Sequence, residues 1–492
     1  GGGMVYVPPG EYTSGTIYLK SNIRFHLEAG AVLNASRNAK VFSKRALIFG
    51  ENVSHVTIEG EGVIDGCAEY EWRDDDVSDR LADGVPTRFK PTAQRPYPIL
   101  PAPKMIVLVN CSDVKIRDVF IRNSPAWTVH PWGCERVLID GITIGNNVQE
   151  GAWTDGINPD CCTDVQISNC TVTAGDDGIA IKTTNQFGAP KPCQNIMITN
   201  CRLSSASCGI KIGTETLANI RHVVVNNCII RNSNRGIGII VRDTAFVSDV
   251  IYSNLNIECT RHDYYWWGNG DPFFFVSWNR PGVTNPETIK NVLLENVIAH
   301  GKGSSFIEAL SGNAIEGFTL SDVKLFLSAD EQLDFPNSER PFSYEHFYHT
   351  KLFPATGDSI HQLSLYGLKF NNVKNVKLKD TEIIWENDVA AKWEHALYCE
   401  NIDGLKIVNF SARQPQMSDQ KKAAIFLKNV SAASIRECDV LPGTDTFIHI
   451  SGKESRRIVV MANDFTKAKN PVIIDEDVPQ SAITKMSNIF LK

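Results

Sequence analysis

A pair of residues recurs along this chain at a nearly constant interval. The first member is Asn, Asp or Glu, the second is most often Cys or an apolar residue, and a short apolar segment precedes both. Most successive pairs are 26 to 31 residues apart, and two steps are longer. Such a period indicates stacked structural repeats. The pairs begin at Asn110, Asp140, Asn169, Asn200, Asn227, Asn254, Asn296, Asp322, Asp380, Asn409, Glu437 and Asn463.

The segments that flank these pairs have the pattern of short β-strands. Stretches such as VQISNCTVT and HVVVNNCIIRN are rich in Ile and Val, alternate apolar with polar residues, and are too short for helices. Asn, Gly and Asp separate them, as turns between strands require. We therefore predict an all-β fold, a right-handed parallel β-helix (solenoid) in which each repeat forms one coil. Asn side chains should stack at one corner, with Cys and Val filling the interior beside them.

We predict a single β-helix domain over residues 1–492 with three loop insertions. The repeat is interrupted near 67–104, 260–287 and 328–365 by polar, Pro-rich and aromatic sequence. Long insertions at the turns of a solenoid often wall a binding cleft, and Trp side chains stack on sugar rings. The alternative is that these aromatics only pack the loops onto the barrel. The best sugar-stacking candidates are Trp72, Trp266, Trp267 and Trp278.

Composition excludes several classes of partner and cofactor. The net charge of −7 over 492 residues gives no general attraction to nucleic acid or anionic lipid. No apolar run approaches the length of about 18 residues that a membrane span needs. The 13 cysteines show no C-x-x-C spacing, so we expect buried thiols and no zinc or iron–sulfur site. No metal or other cofactor is predicted.

Three aspartates stand out in residues 153–182, WTDGINPDCCTDVQISNCTVTAGDDGIAIK. Asp155 precedes Asp176 by 21 residues and Asp177 by 22, which is about one coil. Because successive side chains alternate along a strand, a turn or bulge must lie at Gly175 or at the Asp pair. Three close carboxyl groups cannot all ionise easily, so one pKa should rise. The pair alone could instead be a solvated turn or a calcium site.

The chemistry that suits three converging acids is glycoside hydrolysis. An inverting glycosidase needs one protonated carboxylic acid for the leaving oxygen and one or two carboxylates to activate a water. The two sides are typically about 6.5–9.5 Å apart. Aspartates on neighbouring coils can reach that range.

Basic residues near the acids are candidates for substrate binding. Alternation in DGIAIK places Lys182 on the face opposite Ile179 and Ile181, and Lys211 should also point away from the core. Either lysine could contact a sugar hydroxyl, a carboxylate or the acids themselves. Exposed lysines on a β-helix are more often only solvated.

Four further side chains are candidates for a functional role. His130, in TVHPW, is either a turn histidine or a substrate ligand. Arg242 and Arg235 could supply a basic group to a substrate. Cys208 could be a nucleophile, but no histidine lies near it in sequence, which favours a buried thiol.

Five motifs follow one another at coil-sized spacing within the first 240 residues. They are VYVPPGEYTSGTIYLKSNIRFHLEAGAVL, VTIEGEGVIDG, NSPAWTVHPWGCERVLIDGITI, TDGINPD and GDDGIAIK. Together they resemble the polygalacturonase family, the family-28 glycoside hydrolases. The resemblance implies a glycosidase with Asp176 as general acid, and with Asp155 and Asp177 positioning and deprotonating the water.

The chain departs from that family in the motifs that bind the sugar. Trp153 replaces the Asn of the family's Asn-Thr-Asp-Gly motif and becomes a further substrate-binding candidate. Cys208 stands where a Gly-His-Gly turn has its histidine. Gly238 stands where an Arg-Ile-Lys stretch, which grips the galacturonate carboxylate in the family, has its arginine. The acids are kept, while much of the uronate-binding apparatus is missing.

The predicted function is a glycoside hydrolase that cleaves a pectin-related or similar polysaccharide or oligosaccharide by inversion. Long insertions favour exo-action, and the missing uronate-binding residues favour a scissile sugar other than plain galacturonate. The alternatives are a polysaccharide lyase or epimerase, with Lys182 or Lys211 as base, and a non-catalytic glycan-binding β-helix. The expected partner is a carbohydrate.

The chain opens with GGGMVYVPPGEY, a sequence already typical of a turn and a strand. We therefore expect that an upstream segment has been removed. For an enzyme acting on polysaccharide, an extracellular or periplasmic location is expected.

Overall fold

The structure is a computed structural model in which regular structure is almost entirely β-strand. Short 3-10 helices span Ala39–Val41 and Gln480–Ala482. Among the described residues there is no helix with the length and apolar composition that crossing a bilayer requires. The structure describes residues 1–74, 94–99, 102–262, 268–277, 279–280, 282–284, 287–309, 312–328, 366–386, 393–416 and 422–490.

Within the described residues the largest sheet, here named the broad sheet, has 24 strands that pair in parallel from one coil to the next. Its strands are β1 (Gly3–Val7), β2 (Gly10–Ser14), β4 (Ile23–Leu27), β5 (Ala31–Ala35), β7 (Ser54–Gly60), β8 (Val63–Asp65), β12 (Ser112–Arg117), β13 (Phe120–Arg122), β15 (Glu135–Asp140), β16 (Thr143–Gly145), β17 (Thr163–Ser168), β18 (Thr171–Ala174), β20 (Cys193–Thr199), β21 (Arg202–Ser205), β23 (Ile220–Ser233), β25 (Val247–Cys259), β27 (Glu287–Gly301), β29 (Ala314–Leu327), β31 (Val373–Trp385), β33 (Asp403–Ala412), β35 (Ser431–Arg436), β36 (Asp439–Val440), β38 (Arg456–Met461) and β40 (Ile483–Met486).

A second wall, here named the narrow sheet, consists of a four-stranded and a ten-stranded parallel sheet. Parallel bridges from Val129 to Ile157 and from Ile157 to Ile179 join the two parts. The four strands are β3 (Ile17–Tyr18), β6 (Ala46–Glu51), β11 (Lys104–Val109) and β14 (Val129–Trp132). The ten are β19 (Ile179–Thr183), β22 (Cys208–Thr216), β24 (Arg235–Val241), β26 (Asp271–Ser277), β28 (Ser305–Ala309), β30 (Leu368–Asn371), β32 (Leu397–Glu400), β34 (Ala423–Lys428), β37 (Thr444–Ser451) and β39 (Ala468–Ile474).

The hydrophobic core is a set of in-register columns between these walls. Val165 of β17 pairs with Val137 of the preceding coil and with Ile196 of the following coil, and all three are buried. Their neighbours along each strand face outward, as the alternating sequence predicts. The prediction of an all-β, right-handed parallel β-helix is confirmed.

The predicted Asn column lies at the corner where the broad sheet bends. Asn169 (φ 58°) and Asn200 (φ 56°) adopt the left-handed conformation, which Asn tolerates better than most residues. Their side chains also form a ladder: Asn200 Nδ2 donates to Asn169 Oδ1 at 3.3 Å, and Asn169 Nδ2 donates to Asp140 Oδ1 at 2.8 Å. Asn therefore meets two requirements of this corner: it adopts the left-handed backbone conformation, and its side chain forms hydrogen bonds between coils.

The assignment of Asn110 to this column is wrong. Asn110 follows β11 in the narrow sheet, and its Oδ1 accepts a hydrogen bond from Lys191 Nζ at 2.8 Å. Asp118 (φ 65°) takes the corner position of that coil. The two turns look alike in sequence because both place a polar left-handed residue directly after an apolar strand.

The cysteines form no disulfide, and all except Cys67 are buried, which confirms the predicted buried thiols. Cys170, Cys201 and Cys228 occupy equivalent positions of successive coils, because Arg202 pairs with Thr171 in one direction and with Ile229 in the other. Cysteine therefore acts here as a small core residue.

The three predicted insertions lie partly or mostly outside the described residues. Within 67–104, β9 (Tyr70–Asp74) and β10 (Gln94–Pro98) form an antiparallel pair. Nearly all of 328–365 and part of 260–287 fall outside the described ranges. The single-domain organisation and the role of the insertions stay predictions.

The corner column predicts the effect of replacing Asn169. Asn169→Ala should destabilise the protein by about 1–2 kcal/mol, because Ala is strained in the left-handed conformation and cannot replace the ladder bonds. Asn169→Gly should cost less, because glycine adopts positive φ freely. Urea or thermal unfolding of both variants would measure this, and equal stability of the Ala variant and the wild type would contradict it.

Candidate active site

The three predicted acids converge on the face of the narrow sheet. One carboxylate oxygen from each of Asp155, Asp176 and Asp177 lies within 4.8 Å of the others. The amide of Gly156 donates to the carbonyl of Asp177 at 2.9 Å, which places Asp155 and Asp177 at equivalent positions of neighbouring coils. We name these three aspartates the acid trio.

The backbone around the acid trio depends on glycine. Residues 175–178 form a bend between β18 and β19, which confirms the predicted turn at the Asp pair. A Cβ on Gly178 would lie 2.5 Å from the carbonyl oxygen of Gly209, and one on Gly156 would lie 2.4 Å from that of Gly178. Only glycine permits coils to stack this closely beside the acids.

The carboxylates are closer than the separation typical of an inverting glycosidase. Their oxygens lie within 4.8 Å, whereas about 6.5–9.5 Å was expected. For Asp155 and Asp177 the cause is the coil spacing, because equivalent residues on stacked parallel strands are about 4.8 Å apart. The water that such an enzyme needs must therefore be held beside the acid trio, and carboxylate separation by itself does not predict inversion here.

Two members of the acid trio are each held by a lysine. Asp155 is 1% exposed, and its Oδ2 lies 3.5 Å from Lys182 Nζ. Asp177 is also buried, forms an ion pair with Lys211, and accepts a hydrogen bond from Ser207 Oγ at 2.9 Å. The two lysines therefore reduce the repulsion between negatively charged carboxylates in the cluster.

Asp176 has a different environment. Within the described ranges, no lysine or arginine lies at ion-pair distance from its carboxyl group. Burial, reinforced by the negative charges of Asp155 and Asp177, raises the pKa of Asp176 well above its ordinary value. Asp176 is therefore the member best suited to carry a proton, as the crowding argument predicts.

The pKa of Asp155 is also raised. Burial is the largest cause, and the charge of Asp177 adds to it, while Lys182 and the hydrogen bond from Asn158 oppose the shift. Burial and crowding thus disfavour the charged forms of both Asp155 and Asp176.

Lys182 and Lys211 point away from the core, as predicted, but they are not solvated. Both are more than nine-tenths buried, and Ile179 and Ile181 on the opposite face belong to the core. Burial lowers the pKa of Lys182, but Glu215 and Asp155 outweigh it and raise that pKa; Asp177 does the same for Lys211. Both lysines are therefore protonated at any working pH.

Glu215 and Arg280 are functional candidates that the sequence analysis did not identify. Glu215 Oε2 lies 3.3 Å from Lys182 Nζ, and Glu215 Oε1 lies 3.6 Å from the guanidinium of Arg280. Arg280 also reaches Asp243 at 2.9 Å. The position of Glu215 on β22, four residues after Lys211, is the one sequence feature that could have identified it as a site residue. Arg280 lies within a predicted insertion, and no sequence pattern pointed to it.

His130 is buried and both ring nitrogens are occupied. Nε2 lies 3.1 Å from Asp160 Oδ2, and Nδ1 lies 3.0 Å from Lys104 Nζ. Burial and the charge of Lys104 lower the pKa of His130 to about 4, so the ring is neutral. The structural interpretation accounts for His130, and no ring nitrogen is left for a substrate.

Lys104 is a further residue that the sequence analysis missed. Its Nζ lies 2.8 Å from Gln186 Oε1 and 4.0 Å from the centroid of Trp127, and burial lowers its pKa to about 8. Lys182 Nζ lies 4.6 Å from the same ring. Trp127 is thus an aromatic side chain next to the acid trio.

Arg242, Arg235 and Cys208 lie in the interior rather than at the surface of the site. Arg242 is 1% exposed, and its role in substrate binding stays a prediction. Arg235 pairs with Asp271 at 3.2 Å and stacks on Phe274. Burial raises the pKa of the Cys208 thiol to about 12, which confirms a buried thiol over a nucleophile.

Among the aromatic candidates, Trp153 is 37% exposed and lies two residues before Asp155. Its φ of 64° is uncommon for a bulky residue and is a strain of the kind that concentrates at functional sites. The described residues do not include Trp266, Trp267 or Trp278, and they do not include the side chain of Trp72.

The chain belongs to the glycosyl hydrolases family 28, a family of glycosidases. The pattern of that family matches residues 3–339, which is more than half of the chain. The match includes the acid trio, both lysines, Glu215 and Arg280.

Two curated relatives carry polygalacturonase names. A probable polygalacturonase of Vitis vinifera is 35% identical over 202 residues, which cover 37% of this chain and 37% of the relative. An endo-polygalacturonase of Pectobacterium carotovorum subsp. carotovorum is 25% identical over 194 residues, covering 35% of this chain and 44% of the relative. The aligned region thus spans less than half the length of either relative.

Two solved structures share the fold. The family 28 exopolygalacturonase of Yersinia enterocolitica has a TM-score of 0.57 and 14% identity, covering 82% of this chain and 72% of that one. A hyperthermoactive exopolygalacturonase of Thermotoga maritima has a TM-score of 0.52 and 22% identity, covering 66% and 80%. At these identities the likeness shows the right-handed β-helix alone.

The raised pKa of Asp176 predicts a pH-dependent gain in stability on its replacement. A carboxyl group with a raised folded-state pKa stabilises the fold below its unfolded pKa of about 3.9, and that contribution is lost as pH rises through the folded value. Asn, like the protonated acid, carries no charge, so Asp176→Asn should match the wild type near pH 4. At pH 7 the variant should unfold at a higher temperature than the wild type, because the wild type there is destabilised by the preference of Asp176 to ionise in the unfolded chain.

Calorimetric or fluorescence melting across pH 4 to 8 would measure this difference. Asp118→Asn replaces an exposed aspartate at a left-handed corner and is the matched control for loss of a carboxyl group outside the acid trio. A constant loss of stability at every pH in Asp176→Asn would contradict the assignment.

Proposed function

We propose that this protein hydrolyses glycosidic bonds in a pectin-related polysaccharide or oligosaccharide by an inverting mechanism. The observation that carries the proposal is the asymmetry of the acid trio: Asp155 and Asp177 each pair with a lysine, and Asp176 does not. Membership of family 28 and the polygalacturonase name of the grapevine relative support the substrate class.

In the proposed mechanism Asp176 is the general acid. It enters the reaction protonated, because its pKa is raised by burial and by the neighbouring carboxylates. As the glycosidic bond breaks, Asp176 transfers its proton to the leaving oxygen, which departs as an alcohol. The negative charge that appears on Asp176 is tolerable because Lys182 and Lys211 are nearby cations.

Asp155 and Asp177 hold the nucleophilic water. Their carboxylates face the same space, and one of them accepts the water's proton as its oxygen bonds to the anomeric carbon. Lys182 pairs with Asp155 and Lys211 pairs with Asp177, and hydrogen bonds from Asn158 and Ser207 orient the two carboxyl groups. A single displacement of this kind inverts the anomeric configuration, and the assignment of inversion follows the family resemblance.

We propose that the enzyme is exo-acting and is not a standard polygalacturonase. The long insertions predicted from the sequence near 67–104, 260–287 and 328–365 favour exo-action. A polymeric substrate favours an extracellular or periplasmic location. The family's uronate-gripping Arg-Ile-Lys stretch is absent at Gly238, which favours a neutral or carboxyl-masked scissile sugar. The described aromatic candidates for stacking on it are Trp153, which is 37% exposed, and Trp127, whose ring lies 4.6 Å from Lys182 Nζ.

A product assay by proton NMR tests the reaction. The enzyme is incubated with fragments of pectin, rhamnogalacturonan and neutral glycans. A cleaved fragment should show a new reducing end, and the anomeric configuration of the first-formed product should be opposite to that of the cleaved linkage. Short products should be released from one end of the chain. Asp176→Asn should lower kcat by about 10²–10⁴-fold, the usual contribution of a general acid. Asp118→Asn should retain full activity.

Retention of configuration would refute the inverting mechanism. Full activity in Asp176→Asn would refute its role as acid, and absence of product from every fragment class would refute hydrolysis of this substrate class.

A lyase or epimerase is not favoured by the charges in the site. Elimination needs a neutral base beside the uronate α-carbon, and both Lys182 and Lys211 have raised pKa values that keep them protonated. The lysine pairs also satisfy two of the carboxylates that a calcium ion would require.

A chelator therefore should leave turnover unchanged, and the product should lack the ultraviolet absorbance of an unsaturated uronate. Treatment with EDTA while product absorbance and reducing ends are measured in parallel would check both points. Unsaturated product that disappears with EDTA would support the lyase instead.

A further inference from the structure

We infer that the carboxylate of Glu215 fills an anion position between Lys182 and Arg280 at the mouth of the site, and so excludes sugars that carry a carboxylate there. This inference rests on the proposed function, because it assumes that a sugar reaches the acid trio. It names the substrate class more narrowly: a neutral or carboxyl-masked sugar rather than a free uronate.

The contacts of Glu215 are those of a bound anion. Its Oε2 lies 3.3 Å from Lys182 Nζ, and its Oε1 lies 3.6 Å from the guanidinium of Arg280. The two oxygens thus face two different cations, an arrangement that a substrate carboxylate would also seek. The protein's own side chain already occupies it.

Glu215 lies one side chain away from the catalytic group. Lys182 bridges it to Asp155, whose Oδ2 is 3.5 Å from the same nitrogen. The Glu215 side chain is 36% exposed and that of Arg280 is 26% exposed, whereas Asp155 is 1% exposed. The Glu215–Arg280 pair is therefore the accessible rim of the buried cluster, where an incoming sugar makes contact.

Glu215 is a permanent negative charge. Burial opposes its ionisation, but Lys182, Lys211 and Arg280 outweigh that effect and lower its pKa to about 2. Its charge therefore persists at every pH at which such an enzyme would work.

A substrate carboxylate at this rim would meet two penalties. It would face the fixed negative charge of Glu215, and this repulsion makes the binding free energy of a charged sugar less favourable than that of a neutral one. It would also have to compete for Lys182 and Arg280, which are already paired, Lys182 with Asp155 as well and Arg280 with Asp243 at 2.9 Å. A sugar hydroxyl, in contrast, can donate a hydrogen bond to Glu215.

Direct binding measurements test this inference independently of catalysis. D-galacturonate and D-galactose, which differ at C6, are titrated by calorimetry or ligand-observed NMR into the wild type, Glu215→Gln and Glu215→Ala. The Gln variant removes the charge and keeps the volume, while the Ala variant also opens the space. Glu454→Gln, an exposed glutamate on a turn in the last coils, is the matched control.

Removal of the charge at residue 215 should strengthen galacturonate binding by about tenfold or more, with little change for galactose. A gain in either variant supports the inference, and the Glu454→Gln control should bind as the wild type does. Galacturonate binding that is equal in the wild type and in both Glu215 variants would overturn it.

The two proposals fail in different ways. If the wild type cleaves no glycan but the Glu215 variants gain galacturonate affinity, the proposed hydrolysis is wrong and the anion position is right. If the wild type cleaves glycans but neither variant gains galacturonate affinity, the proposed hydrolysis is right and the anion position is wrong. Melting curves of each variant verify that the fold is retained.

Discussion

The structure depends on the coil-to-coil hydrogen bonds of parallel strands. These bonds fix the distance between equivalent residues of neighbouring coils at about 4.8 Å, and every other feature follows that spacing. It places Val137, Val165 and Ile196 in one buried column. It also brings Asp155 and Asp177 together, although 21 residues lie between them.

The same spacing creates the electrostatic problem that the site has to solve. Three carboxyl groups with oxygens within 4.8 Å of one another repel strongly when buried. Lys182 and Lys211 pair with Asp155 and Asp177, while Asp176 has no such partner among the described residues. Burial and crowding raise the pKa of Asp176 well above its ordinary value, and the pKa of Asp155 is raised as well. The three aspartates are thus distinguished by their cation partners, not by residue type.

Much of the fold could be predicted because the repeat is local. Alternation along each strand and the Asn, Asp and Gly turns identify the coil without knowledge of its neighbours. The misassignment of Asn110 shows the limit: its turn and that at Asp118 carry the same signal, and only the strand pairing tells which corner each occupies. Similarly, the burial of His130 and Arg242 depends on side chains from other coils, so it could not be inferred from their local sequence.

The sequence by itself determined the β-helix, the acid trio and the absence of a disulfide framework, because each depends on periodic spacing or on residue type. Only the tertiary structure decided which acid lacks a cation, that the two lysines are enclosed, and that Glu215 lies between Lys182 and Arg280. The physical reason is that ion pairs join residues from different coils and from insertions that follow no period. Their distances arise from packing, which a one-dimensional pattern does not encode.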